Sequence, residues 1–236
     1  MATIMGWSYT QPEYLEICKQ IDVKNDEETL EIITDRLRKA LEQEKDYPYV
    51  TANQVGYNYM VYALRVGDHI EVWANPLMAR SDDNMILVAD KEYGLENPYY
   101  VPRWPKLSVI AYSIDKKLVC TRDYENEGAV ILQHVMNNLN GISLQDIGLE
   151  ITPEFRAATK EEQQEVVQYY AKELENLLVR LELDIAGDSE MNKKYEAFKF
   201  ARAKASKEIE STREVKKNRR MRRLLDRLFK KKGPKK

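Results

Sequence analysis

From about residue 57 to 120 the chain is written in short β-rich runs, "NYMVYALRV", "HIEVWAN", "KLSVIAYSI" and "KLVCTR", broken by the turn signals "GD", "NP" and "DKK". Runs of this kind are sheet strands, and a helix precedes and follows them. In "DEETLEIITDRLRKALEQEK", residues 26–45, Leu30, Ile33, Leu37 and Leu41 recur every three or four residues and make one apolar stripe. "EGAVILQHVMNNLNG" is apolar on nearly all sides over its first turns and ends at Gly141, so it reads as a buried helix packed on the sheet. Strands bracketed by helices, without strict alternation of the two, indicate an α+β body and exclude a doubly wound sheet.

Beyond residue 150 the pattern changes. Thr152 and Pro153 supply a helix cap and a first-turn proline, and Val167, Tyr170, Leu174, Leu177 and Leu181 follow at heptad-like spacing. Such a seam suits another helix, in the same chain or in a second copy. After Gly187 and Asp188 a polar segment runs to Phe229, with Leu224, Leu225 and Leu228 near its end. Residues 191–236 hold 19 Lys and Arg against 5 Asp and Glu, a net of +14, while residues 1–190 hold 18 against 34, a net of -16. An acidic body therefore carries a basic, helical tail. Arg219, Arg220, Arg222 and Arg223, interleaved with leucines, form a basic amphipathic segment whose partner would be nucleic acid, an acidic protein surface or an anionic membrane.

No apolar run reaches the length of a membrane span, and "MATIMGWSYT" lacks the basic start and apolar core of a signal peptide. The protein is expected in the cytoplasm or assembled into a virus particle, and not secreted. Cys18 and Cys120 stand far apart and outside any paired motif, which gives no ground for a disulfide framework or a zinc knuckle, and both read as reduced, small apolar residues.

Three blocks then fall in order: "VTANQVG" at 50–56, "EYGLENP" at 92–98 followed by "VPR" at 101–103, and "LQHVMNNLNG" at 132–141. Together they resemble peptide deformylase, whose blocks read as a glycine-rich stretch ending in Ala-Ala-any-Gln, then Glu-Gly-Cys-Leu-Ser, then His-Glu-any-any-His. Gln54 to Gly94 and Gly94 to His134 are 40 residues each, close to the family spacing, and "WANP" at 73–76 matches a strand ending in Asn-Pro. The resemblance covers about residues 10–150. It implies an antiparallel or mixed sheet packed around a central helix, to which this chain adds an all-α C-terminal extension. The implied organisation is a deformylase-like domain over 1–150, an amphipathic helix with a partner seam over 151–188, and a basic helical tail over 189–236.

The departures from the pattern lie at the residues that carry the family's chemistry. A deformylase holds one divalent metal with the cysteine and both histidines, beside a glutamate that acts as general acid and base. Here the corresponding positions are Gly94, His134, Asn138 and Val135, and only Gln54 remains of the oxyanion set. Tyr47 and Tyr49 replace open backbone with bulky phenols. A bound metal lowers the pKa of its water from about 15.7 to about 7, and one imidazole with an amide oxygen does not compete for such an ion.

The sequence therefore leads to the expectation of no enzyme, no metal and no cofactor. It points to a deformylase-like scaffold held in a larger assembly by its helical extension, a phage tail or baseplate component being one setting. Two alternatives stand beside it: a ribosome- or RNA-associated protein acting through the basic tail at 213–236, and a deformylase with an unconventional metal site. In the first reading the partners are other proteins or a second copy meeting the 167–181 seam. "NPYYVPRW", with two prolines among aromatics, is expected to be an exposed loop.

Overall fold

In the computed structural model of the chain, which describes residues 16–80, 85–186 and 219–229, the elements run in the order α1 (Glu27–Gln43), β1 (Tyr49–Thr51), a 3-10 turn (Ala52–Val55), β2 (Val61–Val66), β3 (His69–Arg80), β4 (Ile86–Asp90), β5 (Tyr99–Arg103), β6 (Lys106–Ser113), β7 (Leu118–Glu125), α2 (Asn126–Leu139), α3 (Leu144–Ile147), β8 (Leu149–Glu150), α4 (Pro153–Arg156), α5 (Lys160–Ala186) and α6 (Arg219–Phe229). They fall into two units. The first comprises the described residues up to Ile86, with Glu92–Leu95 and Arg103–Ser143; the second joins Leu87–Lys91 and Glu96–Pro102 to the chain from Leu144 onward.

In the first unit the β-rich runs form an antiparallel sheet in the order β1-β2-β3-β6-β7. Strand alternation divides their side chains. Tyr62, Leu64, Trp73, Leu107, Val109 and Ala111 face α2, where Ala129, Leu132, Val135 and Leu139 meet them. Val61, Ala63, Val72 and Ala74 face the opposite way and are covered by Leu30, Ile33, Leu37 and Leu41 of α1. The sheet is thus packed between the two helices that the sequence predicts.

The cover given by α1 is incomplete. It packs on β1, β2 and β3, while the same face continues across Leu77 and its cross-strand neighbour Ile110, and across Tyr112 and its neighbour Val119. There Leu77, Ile110 and Val119 are 65%, 41% and 63% exposed. The register of β3 against β6 shifts between Ala74 and Leu77. Asn75 sits in that bulge at φ 52, followed by Pro76, which has no amide to give the ladder.

The second unit is a three-stranded sheet, β4-β5-β8, with the C-terminal helices. Thr152 caps α4 as expected, its hydroxyl accepting from the Phe155 amide at 3.1 Å while donating to the Leu228 carbonyl at 2.9 Å. Phe155 is the centre of the apolar cluster, with its ring 6.0 Å from Tyr100 and 5.7 Å from Phe229. Met221, Leu224, Leu225 and Leu228 of α6 are buried in that cluster with Ile151 and Val166, and Val167 and Tyr170 pack against it. An ion pair at 2.6 Å ties Arg227 to Glu162 of α5.

Two expectations meet particular outcomes here. "NPYYVPRW" is no exposed loop: Tyr99–Arg103 is a strand, and Tyr99, Val101, Arg103 and Trp104 are all buried. Its pairing with β8 ends at Tyr100, so Pro102 removes no hydrogen bond from that ladder. The seam residues Leu174 and Leu177 are buried, whereas the side chains of Leu181, Arg219, Arg220 and Arg222, and any helix over 190–218, lie outside the described residues. Arg223 is exposed.

Candidate functional site

The third sequence block forms α2, and it ends where foreseen. Gly141 takes φ 68 just past the helix, and the Ile142 amide returns to the Asn137 carbonyl at 2.8 Å. His134, Val135 and Asn138 lie within one turn of one another but do different things. Val135 points into the sheet core. His134, 2% exposed, lies with its Nε2 3.8 Å from Oε1 of Glu92, which is 1% exposed. The Tyr49 ring stacks obliquely on the imidazole, 5.2 Å between centres.

Asn138 is held in a buried network. Its Nδ2 donates to the Tyr49 hydroxyl at 3.2 Å, and its backbone carbonyl accepts from Asn53 Nδ2 at 2.8 Å. Gly94, at φ 88, occupies the turn after Glu92 in the left-handed region. On its other side Glu92 accepts from the Ser143 hydroxyl at 3.1 Å. Gln54 lies in the same region but serves its own loop: its Oε1 accepts from the Thr51 amide at 2.9 Å and hydroxyl at 3.0 Å. That reciprocal cap closes the 3-10 turn before Gly56, which has φ 90.

Sequence reasoning found His134, Asn138 and Tyr49 but missed Glu92, Asn53 and Ser143. Glu92 opens the quoted second block, so its position was visible. Its orientation toward α2 depends on the Gly94 turn, which has no signal of its own beyond the glycine. Tyr47, the second phenol singled out, stands edge-on to Tyr93 at 4.8 Å, and burial with nearby Tyr93, Glu44 and Asp46 raises its pKa.

The three positions that would hold a divalent metal are Gly94, His134 and Asn138. Gly94 offers no side chain, and the Asn138 amide nitrogen faces a phenol. One imidazole remains, and among the described residues no group of three His, Cys, Asp or Glu is gathered for a metal. This donor set does not fit the family's ion.

No helix among the described residues is long and apolar enough to cross a membrane. Cys18 is a free, buried thiol, and Cys120 is free and half-buried.

The family description "Polypeptide deformylase" matches residues 7–148. Among solved structures, the chain is similar to a peptide deformylase from Synechococcus elongatus in complex with actinonin, at 16% identity and TM-score 0.54, covering 70% of this chain and 85% of that one. It is also similar to peptide deformylase from Thermotoga maritima, at 19% and 0.53 over 63% and 99% of the two chains. A probable peptide deformylase from Synechococcus phage S-SSM7 matches at 15% and 0.53, over 61% and 98%. No curated protein matches. These likenesses establish the fold, an α+β sheet around a central helix with a helical C-terminal extension. The matched family is one of enzymes, which overturns the expectation that this chain is not an enzyme. With its three blocks in order and a match spanning residues 7–148, this chain belongs to the polypeptide deformylase family.

Proposed function

We propose that this deformylase-family chain works as a component of a larger protein assembly, docked through the half of its sheet that α1 leaves bare. The observation that carries this reading is the run of Leu77, Ile110 and Val119 on one face of adjoining strands, at 65%, 41% and 63% exposure. Single exposed apolar residues are ordinary, but adjacent ones on one sheet face mark a contact surface. The patch ends at β7, an edge strand, and an edge left open invites pairing with another chain. As the setting we name a virus particle, its tail or baseplate, since one of the similar solved structures comes from a phage.

The test is the sedimentation of the native protein. Wild-type chain should travel with a large complex, and Ile110→Lys with Val119→Lys should leave it at the 27.7 kDa of the single chain. Both positions are exposed, so the double variant should melt where the wild type does. Wild-type protein that sediments as a free single chain in its native extract overturns the reading.

The alternative of RNA or ribosome binding through the tail rests on fewer observations. The leucines of α6 are spent on the cluster around Phe155, and Arg227 is engaged by Glu162.

A further inference from the structure

We infer that the bare half-sheet and the groove beside α1 together receive a basic amphipathic helix of a partner protein. This rests on the assembly reading and adds the partner's chemistry.

The groove lies along the edge of α1 where its cover of the sheet stops. One wall is a stripe of α1, Glu27, Glu31, Thr34, Asp35 and Arg38, spaced three and four residues apart. The other is the end of the β6–β7 hairpin, Tyr112, Ile114, Asp115 and Lys117, and Val23 and Leu30 add apolar surface between them. Its volume of about 500 Å³ lies within the range of pockets that bury a ligand. Tyr112 then leads onto Val119 and, along the strands, to Ile110 and Leu77. Groove and patch are one continuous surface.

Charge selects the occupant. Asp35 is paired with Lys39 at 2.6 Å, and Asp115 with Arg38. Glu27 and Glu31, both exposed, have no cation partner among the described residues. Against them, among the described residues of the groove, stands one cation outside an ion pair, Lys117. The remaining observation is Thr34, a residue of the groove lining only 8% exposed, whose buried Oγ1 has no hydrogen-bond partner. A buried hydroxyl left unsatisfied is costly in the free protein and becomes useful when a ligand meets it. An arginine fits all three features. Its stem lies along Leu30 and Ile114, and its guanidinium reaches Glu31 and donates to Thr34 Oγ1. A helix carrying such residues beside an apolar stripe would lay that stripe on Ile110, Leu77 and Val119.

The probe is a labelled 14-residue peptide with leucines at helical i, i+4 spacing flanked by arginines, titrated against the full chain by fluorescence anisotropy. Saturable binding is expected. Glu27→Gln with Glu31→Gln should weaken it about five- to tenfold, the loss of two exposed ion pairs. Ile110→Ser should weaken it at least as much. Thr34→Val should weaken binding while raising the melting temperature of the free protein, a combination that a merely structural threonine would not give. The inference falls if a peptide with glutamate for arginine binds equally, or if one with serine for leucine does, since that is charge attraction without docking. It also falls if no saturable binding occurs while Ile110→Lys with Val119→Lys still releases the native chain from its complex; the assembly reading would then stand alone.

Discussion

Cys18 shows how a single side chain reports on the fold. It is a free thiol at 2% exposure, its amide donates to the Leu139 carbonyl at 2.8 Å, and its side chain packs among residues of β1, β2 and α2. Burial, with a smaller effect of Glu16, pushes its pKa from 9.0 up to about 12. The folded chain therefore keeps the proton through a pH range in which the unfolded chain has lost it. The stabilisation is complete below pH 9 and is lost as pH rises towards 12, at about 1.4 kcal/mol per unit. Urea unfolding of wild type and Cys18→Ala at pH 8 and pH 10 checks this, because tyrosine titration is common to both chains. The wild type should lose more stability than the variant between the two pH values; parallel losses would mean that the thiol is reached by water. The sequence showed that this cysteine had no motif partner. That it would be buried against α2 depends on residues more than a hundred positions away, which no local pattern reports.

At the level of elements, the bulge in β3 joins a legible motif to an illegible consequence. "WANP" stood out in the sequence as a strand end, yet β3 continues through it to Arg80. Continuation is possible because Asn75 adopts φ 52 and absorbs the irregularity, while its amide closes on Ile21 from both sides. Asn75 Nδ2 donates to the Ile21 carbonyl at 2.8 Å, and the Ile21 amide donates to Asn75 Oδ1 at 2.9 Å. Asn75→Ala removes both bonds beside a buried residue and forces alanine into the left-handed region, at a cost of about 2 to 4 kcal/mol. Asn75→Gly removes the bonds but not the freedom of the backbone, so it should cost about 1 kcal/mol less. Chemical denaturation of the three proteins orders them; equal losses would show that the backbone contributes nothing. The long strands were readable from their β-rich runs and turn signals, α1 from its apolar stripe, and α2 from an apolar run ending at Gly141. β1, β4 and β8 are too short to show a period, and β5 hides behind Pro102. The fold class was therefore legible, and the second sheet was not.

For the whole molecule, the boundary at residue 150 in the sequence pattern is a boundary of composition, and the second unit crosses it. Its sheet takes Leu87–Lys91 and Glu96–Pro102 from within the matched region, and β5 meets β8 at Tyr99 and Tyr100 just before that boundary. The apolar cover comes from beyond it: Ile151, Phe155, Val166, Met221, Leu224, Leu225 and Leu228. The described part of the basic tail, α6, thus has an internal task. Its leucines complete a core, while Arg223 and Arg227 of the same helix are exposed. A chain cut after residue 150 keeps the α1–sheet–α2 layers of the first unit but exposes Tyr100 and Leu149, which pack against the lost cluster. Hydrogen exchange on the truncated chain should show strong protection retained in β2, β3 and β6, and lost from β5, because protection follows the stability of the unit in which an amide lies. A milder cut that removes only α6 should already reduce protection in β5, since Met221, Leu224, Leu225 and Leu228 go with it. Protection of β5 unchanged by either cut would show that the helices pack on this sheet without stabilising it, and would return the C-terminal segment to the role of an outward tether.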